Sequence, residues 1–356
     1  MSTEPKPLGR APVRLAPIFV PRIWGARDLS PLFPEHTVEN DPIGEVWLTG
    51  NDCMVASGEF AGRTLGEVWP CLPAGWTGTR LQGLPRIPLL VKFIFPEEKL
   101  SVQVHPDDAY AREHEAEAGG VGKTEMWYVV SARPGAAVRV GLGGNITRDS
   151  FQDAVTRGSV EDCMGSVSVH AGDAVFVPAG TTHTICPGMV LCEIQQHSDI
   201  TYRVFDYNRI CADGKPRALH VQQALNVMRF GEQRGGLCEP VRITHGPLTE
   251  TFYAACPYFA TERWEFSERI GGATSPEQFE LLIFLAGHGR IEFSGGSDTF
   301  VPAQVWLLPA SVGAYHLAPD SETTLLRTYV PNLNDLVQRF CEEHIPEEQW
   351  ARVVHP

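Results

Sequence analysis

The run Ser101-Val102-Gln103-Val104-His105-Pro106 sets an amide and an imidazole on one side of an extended segment. Side chains alternate along a strand, so Ser101, Gln103 and His105 share one face while Leu100, Val102 and Val104 share the other. The apolar face reads as core. The polar face offers an amide oxygen and a ring nitrogen side by side, which is how a strand presents two ligands to a metal ion. Pro106-Asp107-Asp108 then ends the strand in a turn. Such a face alone is also what a half-exposed strand shows, so the other ligand-type residues decide. Lys123-Thr124-Glu125-Met126-Trp127 puts Lys123, Glu125 and Trp127 on one strand face, opposite Met126 and Tyr128. Gly172 to His183 spells Gly-x5-Pro-x-Gly-x2-His: a turn, a buried strand, a second tight turn and a histidine. Gly172 and Gly180 supply permissive backbone, and Pro178 stiffens the second turn.

That last spacing resembles the second motif of the cupin superfamily. With it, Gln103, His105, Glu125 and His183 make a set of two imidazoles, a carboxylate and an amide oxygen. Two histidines and a carboxylate suit zinc, one ion per chain, with open coordination for water or substrate. Iron, manganese or another divalent metal fits the same donors. The first cupin motif normally begins His-x-His; here Gln103 replaces the first histidine and the glutamate lies much farther downstream.

Those departures point to one branch. Leu100 to Asp108, Gly122 to Tyr128 and the Pro178 to His183 turn resemble type I mannose-6-phosphate isomerases, especially the short bacterial form. Trp24-Gly25, Gly44-Glu45-Val46-Trp47, Pro88 to Lys92, Glu193 to Asp199, Thr201 to Arg203 and Asp206-Tyr207 strengthen the match, which is thin beyond residue 245. The resemblance implies that Gln103, His105, Glu125 and His183 bind zinc and that Arg203 is catalytic. It also implies that Ser101, Lys123, Glu193 and Asp199 line a sugar-phosphate pocket. The reaction would interconvert mannose 6-phosphate and fructose 6-phosphate, with a proton leaving C2 and returning at C1 through an enediol.

Residue chemistry is compatible with those roles. A metal with two neutral histidines and one glutamate keeps net positive charge and can stabilise an oxyanion. Arg203 is always charged and shares a face with Thr201 if that segment is extended. Lys123 and Ser101 suit phosphate oxygens. Glu193, Lys123 and a ligand histidine all remain open as the proton-transferring base. Trp24, Trp47 and Trp127 read as core fillers, and His197 carries no assigned role. The competing functions are isomerisation of another sugar phosphate, a metal-dependent cupin oxygenase, and a non-catalytic sugar-binding or regulatory module.

The elements that must hold these residues are short. Strands are expected over Val13 to Val20, Gly44 to Thr49, Pro88 to Phe95, Lys99 to His105, Thr124 to Ser131, Ala136 to Gly141, Val167 to Val169, Ala174 to Val177 and Met189 to Gln195. Thr64 to Trp69 and His220 to Met228 read as helices. Thr147, a plausible N-cap with Asp149 in the first turn, starts a helix to Gly158 that covers the barrel. Asp107 to Ala118 reads as an exposed helix or lid-like loop, with Glu113 to Glu117 solvated. From about 245 a second strand-rich block runs to Val330, followed by a helical tail, Leu333 to Glu343. Val175 to Gly180 echoes Val305 to Ser311, and aligning Pro178 with Pro309 sets Ala314 opposite His183; Gly287-His288-Gly289 and His316 reproduce no ligand set. The expected architecture is mainly β: two cupin-like jelly-roll barrels with small helical insertions, a metal-binding catalytic domain over 1–235 and a degenerate one without a metal site over 236–356.

Composition limits the partners. The 356 residues are 43% apolar, with Gly 34 and Pro 28, enough for a large turn-rich core. The net charge of −14 argues against nucleic acid or an anionic membrane but leaves a small phosphorylated substrate open. Nine scattered cysteines without CxxC spacing read as reduced thiols. Met1 to Arg10 lacks the apolar core of a signal peptide, and no apolar run is long enough to span a bilayer. A cytoplasmic protein, monomeric or a small homo-oligomer, is expected.

Overall fold

The short apolar runs become short strands, as period-two patterning punctuated by Gly and Pro requires. The computed structural model describes residues 11–211, 213–232 and 235–356, so the expectation for Met1 to Arg10 lies outside the described residues. The fold is mainly β and consistent with a cupin-like architecture. Two compact units are each discontinuous in sequence. One holds the described residues up to Ile18 with Trp47–Leu89 and Glu239–Pro356, the other Phe19–Val46 with Leu90–Cys238. The expected strand over Val13 to Val20 is two, Val13–Leu15 and Ile18–Ala26, which join different sheets.

The second unit carries the ligand-type residues. Its larger sheet runs, in spatial order, Gly236–Leu237, Ala174–Val177, Glu125–Ala132, Met189–Gln196, Leu89–Ile94, Ile43–Trp47 and Ile18–Ala26. The smaller runs Tyr202–Phe205, Val102–Val104, His183–Ile185, Ala137–Leu142 and Met164–Ser168. Trp24, Ile94, Trp127, Val175 and Leu191 from the larger sheet meet Val138, Val140 and Ile185 from the smaller in one buried cluster. The smaller sheet's other face is apolar too, and helices cover it. Val102, Val104, Tyr202 and Val204 pack there with Ala111, Phe151, Ala154 and Leu225 from the helices Asp108–His114, Arg148–Arg157 and Val221–Val227. Val102 and Val104 are thus core, as expected, on the helix-covered side. Leu100 parts from them and joins the cluster around Trp24, because it precedes the strand, with its N–H bonded to Ile185 O at 2.9 Å.

The covering helices obey local rules. Thr147 accepts from the Ser150 N–H while Ser150 Oγ accepts from the Thr147 N–H, a reciprocal cap, and Gly158 closes the helix in the left-handed region. Asp107 caps the next-earlier helix by accepting from the Tyr110 N–H at 2.9 Å. The acidic stretch beyond is not wholly solvated: Glu115 accepts the Tyr202 hydroxyl at 2.6 Å.

The first unit repeats the plan with a seven-stranded and a four-stranded sheet. Trp264, Leu282, Phe284, Trp306 and Leu325 share a core with Ile291, Phe300, Tyr315 and Leu317. Sheet register relates the two units. Glu125 pairs with Val177, the residue before Pro178, and Glu280 pairs with Leu308, the residue before Pro309. Past each turn, His183 opens its strand opposite Gln103, and Ala314 opens its strand opposite Ala273. Glu280 is fully buried and takes both Nε and Nη2 of Arg327, whose Nη1 reaches the equally buried Glu262. The guanidinium also lies over the Tyr329 ring at 4.5 Å.

Arg327→Met strips two buried carboxylates of their cation. We expect a stability loss of about 3–5 kcal/mol, the usual cost of breaking a buried pair from one side, read as a lower denaturant midpoint. A midpoint equal to that of the parent would contradict this account of the pair.

Candidate metal centre and active site

The smaller sheet sets three polar side chains in one row. Val102–Val104 lies between Tyr202–Phe205 and His183–Ile185, and in register Gln103 pairs with Arg203 on one side and His183 on the other. Directly paired residues point to the same face of a sheet, so the three converge. Glu125, at the start of its strand in the larger sheet, completes the group.

Three loops lock the row in place. Gly180, at φ +85°, turns the chain so that its N–H bonds His105 O at 2.8 Å, and a Cβ there would meet Val227 O at 2.9 Å. Gly122 lies so close to the Asp107–Asp108 backbone that a Cβ would come within 2.6 Å of Asp108 N. Next to it, the Lys123 N–H bonds Pro106 O at 3.0 Å. Thr124 stitches the turn to the strand, accepting the Ala179 N–H on its hydroxyl while its own N–H donates to Gln196 Oε1.

His105, Glu125 and His183 present ligand atoms all within 4.8 Å of one another, and all three are buried. His105 Nδ1 donates to Ile200 O at 2.7 Å and His183 Nδ1 to Thr181 O at 2.8 Å. These carbonyls fix the tautomers and leave each Nε2 lone pair facing Glu125, at 3.6 and 3.3 Å. Burial, reinforced at His105 by Lys123, drives both rings below their ordinary pKa, His183 to about 4, so both are neutral as ligands must be. Both Glu125 oxygens are buried, and Lys123 Nζ stands 2.8 Å from Oε2 in a charged contact. This donor set fits a divalent cation. Gln103 sits beside it with Nε2 3.3 Å from His183 Nε2 and Oε1 accepting from Ser101 Oγ at 3.2 Å. A half-turn of the amide exchanges its two ends and brings the oxygen to the histidine side.

A cavity of about 390 Å³ adjoins these residues. Its wall brings together Ser101, Gln103, Lys123, Glu193, Asp199 and Arg203, all singled out in the sequence. Arg203 Nε donates to Ser101 Oγ at 3.2 Å. Glu193 accepts the Trp127 indole N–H at 3.2 Å, and burial raises its pKa against the opposing pull of Lys123. Burial works against the Lys123 charge, but Glu125 and Glu193 outweigh it and raise its pKa. The wall carries five cations, Arg22, Lys92, Lys123, Arg203 and Arg217, against three carboxylates, Glu45, Glu193 and Asp199. In a chain of net charge −14, the wall itself thus carries more cations than carboxylates.

No family model matches the chain. It is 32% identical over 311 residues to the probable mannose-6-phosphate isomerase GmuF of Bacillus subtilis, across 85% of this chain and 95% of that protein. It is also 32% identical over 315 residues to mannose-6-phosphate isomerase ManA of the same organism, across 86% of this chain and 95% of that one. The chain belongs to the mannose-6-phosphate isomerase family. The crystal structure of the mannose 6-phosphate isomerase from Bacillus subtilis matches the fold with a TM-score of 0.81 at 28% identity, over 89% of this chain and 99% of that one. A phosphomannose isomerase variant from Salmonella typhimurium shares the fold at a TM-score of 0.71 and 14% identity, over 90% of this chain and 99% of that one.

Within this member of the family, several pocket residues escaped the sequence reading as chemistry. Lys92 is the clearest: it is buried and lies 3.4 Å from Asp199, 3.7 Å from Glu45 and 3.8 Å from Glu193. The signal was present, since one lysine interrupts the wholly buried strand Leu89–Ile94, and a buried ammonium must be paired. Arg22 reaches Glu45 with both Nε and Nη2 at 3.0 Å, and Arg217 is gripped by Asp206. Trp24 lines the pocket and Trp127 serves both as core and as a donor to Glu193.

The depressed His183 pKa sets an acid limit on the metal-stripped protein. Above pH 6.5 the ring is neutral in folded and unfolded chains alike; between 6.5 and about 4 only the unfolded chain binds the proton. Stability is therefore lost as pH falls through that window, by on the order of 3 kcal/mol from this ring. Chemical denaturation of chelator-treated protein at several pH values measures it, and a flat profile between pH 7 and 4 would refute the assignment.

Proposed function

We propose that the protein interconverts mannose 6-phosphate and fructose 6-phosphate with a divalent metal, zinc foremost, held by His105, Glu125, His183 and Gln103. Glu125 carries the reading: a fully buried carboxylate facing two neutral Nε2 atoms, with the three ligand atoms within 4.8 Å of one another, beside a pocket rich in cations. The metal supplies Lewis-acid polarisation of a substrate oxygen. Arg203, permanently charged and braced on Ser101, steadies the negative charge that develops as the C2 proton departs. Ser101 and Lys123 bind phosphate oxygens, and Asp199 orients the sugar from the pocket wall. Glu193, raised toward neutrality by burial, is suited to take the proton from C2 and return it at C1 of the enediol.

The proposed catalytic domain lies within residues 1–235, where every donor and every pocket residue is found. We read both units as jelly-roll barrels, the part from residue 236 to 356 being degenerate. Ala314 and Ala273 standing at the register positions of His183 and Gln103 support this. A reducing, cytoplasmic setting is supported by nine cysteines that are all free. No helix of the described residues is long and apolar enough to cross a membrane.

Purified protein should carry about one zinc-type ion per chain, as a single tetrahedral-type site holds, and convert mannose 6-phosphate in an assay coupled to fructose 6-phosphate. Chelation should abolish turnover and metal should restore it. Arg203→Ala should lower kcat about 10²- to 10³-fold with metal content unchanged, the scale of losing one stabilising donor. If metal-replete protein isomerises no hexose 6-phosphate, the reading is wrong.

A further inference from the structure

Three hydrogen bonds tie Arg203 to the segment Ala218 to His220. Its guanidinium donates to Ala218 O at 3.0 Å, its carbonyl accepts the His220 N–H at 2.7 Å, and its N–H donates to His220 Nδ1 at 3.3 Å. The third bond settles the state of the ring. A backbone N–H can only donate, so Nδ1 is the bare nitrogen and the single proton of the neutral imidazole sits on Nε2. Burial and the adjacent Arg203 both disfavour a second proton.

His220 borders usable space. His220 lines the cationic cavity and also a second cavity of about 450 Å³, which shares Asp199 and Thr201 with the first. Nε2–H has no acceptor among the described residues. Most other polar groups of the pocket wall are charged, and the neutral ones nearest Arg203, Ser101 and Gln103, already bond to each other, so His220 adds a neutral N–H that no protein group takes up among the described residues.

We propose that His220 is both a substrate-binding and a positioning residue. Its Nε2–H donates to a hydroxyl or ring oxygen of the sugar phosphate, while its Nδ1 holds Arg203 in step with that contact. The identity of the ligand rests on the isomerase reading; the geometry of the ring does not.

Two amide substitutions separate the functions. In His220→Asn the side-chain oxygen falls near the Nδ1 position and can keep the bond to the Arg203 N–H, with nothing at Nε2. In His220→Gln the longer amide reaches the Nε2 position and gives up the Arg203 bond. Each variant, with His220→Leu, is titrated calorimetrically with mannose 6-phosphate and assayed for turnover, and thermal unfolding confirms folding. His220→Asn should weaken binding and raise KM about 3- to 10-fold, with kcat near that of the parent, as loss of one neutral hydrogen bond predicts. His220→Gln should bind nearly normally but lose kcat, about tenfold, and His220→Leu should show both defects. Parent-like binding in His220→Asn, or identical losses in the Asn and Gln variants, would overturn the proposal. Parent protein that binds mannose 6-phosphate without turning it over would defeat the isomerase reading alone, leaving the titrations to judge His220. Parent protein that does not bind it defeats both.

Discussion

A carboxylate with no exposed surface demands positive charge, and Glu125 is the point on which the site turns. Leaving such a group uncompensated costs several kcal/mol, so the chain must surround it with cationic or cation-ready partners. It does so with Lys123 at 2.8 Å and with two imidazoles whose Nε2 lone pairs aim inward. The inward aim is in turn set by two backbone carbonyls, of Ile200 and Thr181, each in a loop rather than a strand. The tight turn at Gly180 ties the Thr181 loop to His105 O, and the close approach at Gly122 seats the Lys123 loop against the turn that follows His105. Packing, backbone geometry and electrostatics thus converge on one side chain.

The same logic extends outward into the pocket. Lys92 is buried and answered by Glu45, Glu193 and Asp199, and Glu45 is itself answered by Arg22. Asp206 answers both Arg209 and Arg217. These chains of paired charges leave the wall with an excess of cations in a chain that is strongly acidic as a whole. A cleft with a local excess of one sign of charge favours ligands of the opposite sign even against an opposing net charge, because the near field dominates at contact distance.

Much of the site was legible because its signals are local. Ser101, Gln103 and His105 share a face by alternation, and the Gly172–His183 spacing encodes its own turns. Ser101, Gln103, Lys123, Glu193, Asp199 and Arg203 do meet at one pocket, and His105, Glu125 and His183 do cluster. What sequence could not supply was pairing between distant strands. That Gln103 lies between Arg203 and His183 follows from strand order, as does the parting of Val13–Leu15 from Ile18–Ala26. Leu100 misled because alternation was extended one residue before the strand began. Lys92 stands out less in the sequence, since an apolar run says that a charge is buried without saying what it faces. A single cut between residues 235 and 236 does not follow the compact units, which interleave along the chain.

The two units answer one requirement by different means. Glu280 occupies the register position of Glu125, equally buried; each has a side-chain cation, Arg327 and Lys123, but Glu125 also faces two imidazole Nε2 atoms able to share a cation from solution. A cation borrowed from solution can be exchanged, scavenged or replaced by a competing ion, and its presence depends on supply. A cation carried on a side chain arrives with synthesis in a fixed ratio of one and cannot leave. On the proposed reading, the copy that surrendered its histidines also surrendered an open coordination position, and with it any chemistry there. In exchange its core matures independently of metal supply, so half of the molecule keeps its charge balance where metal is scarce.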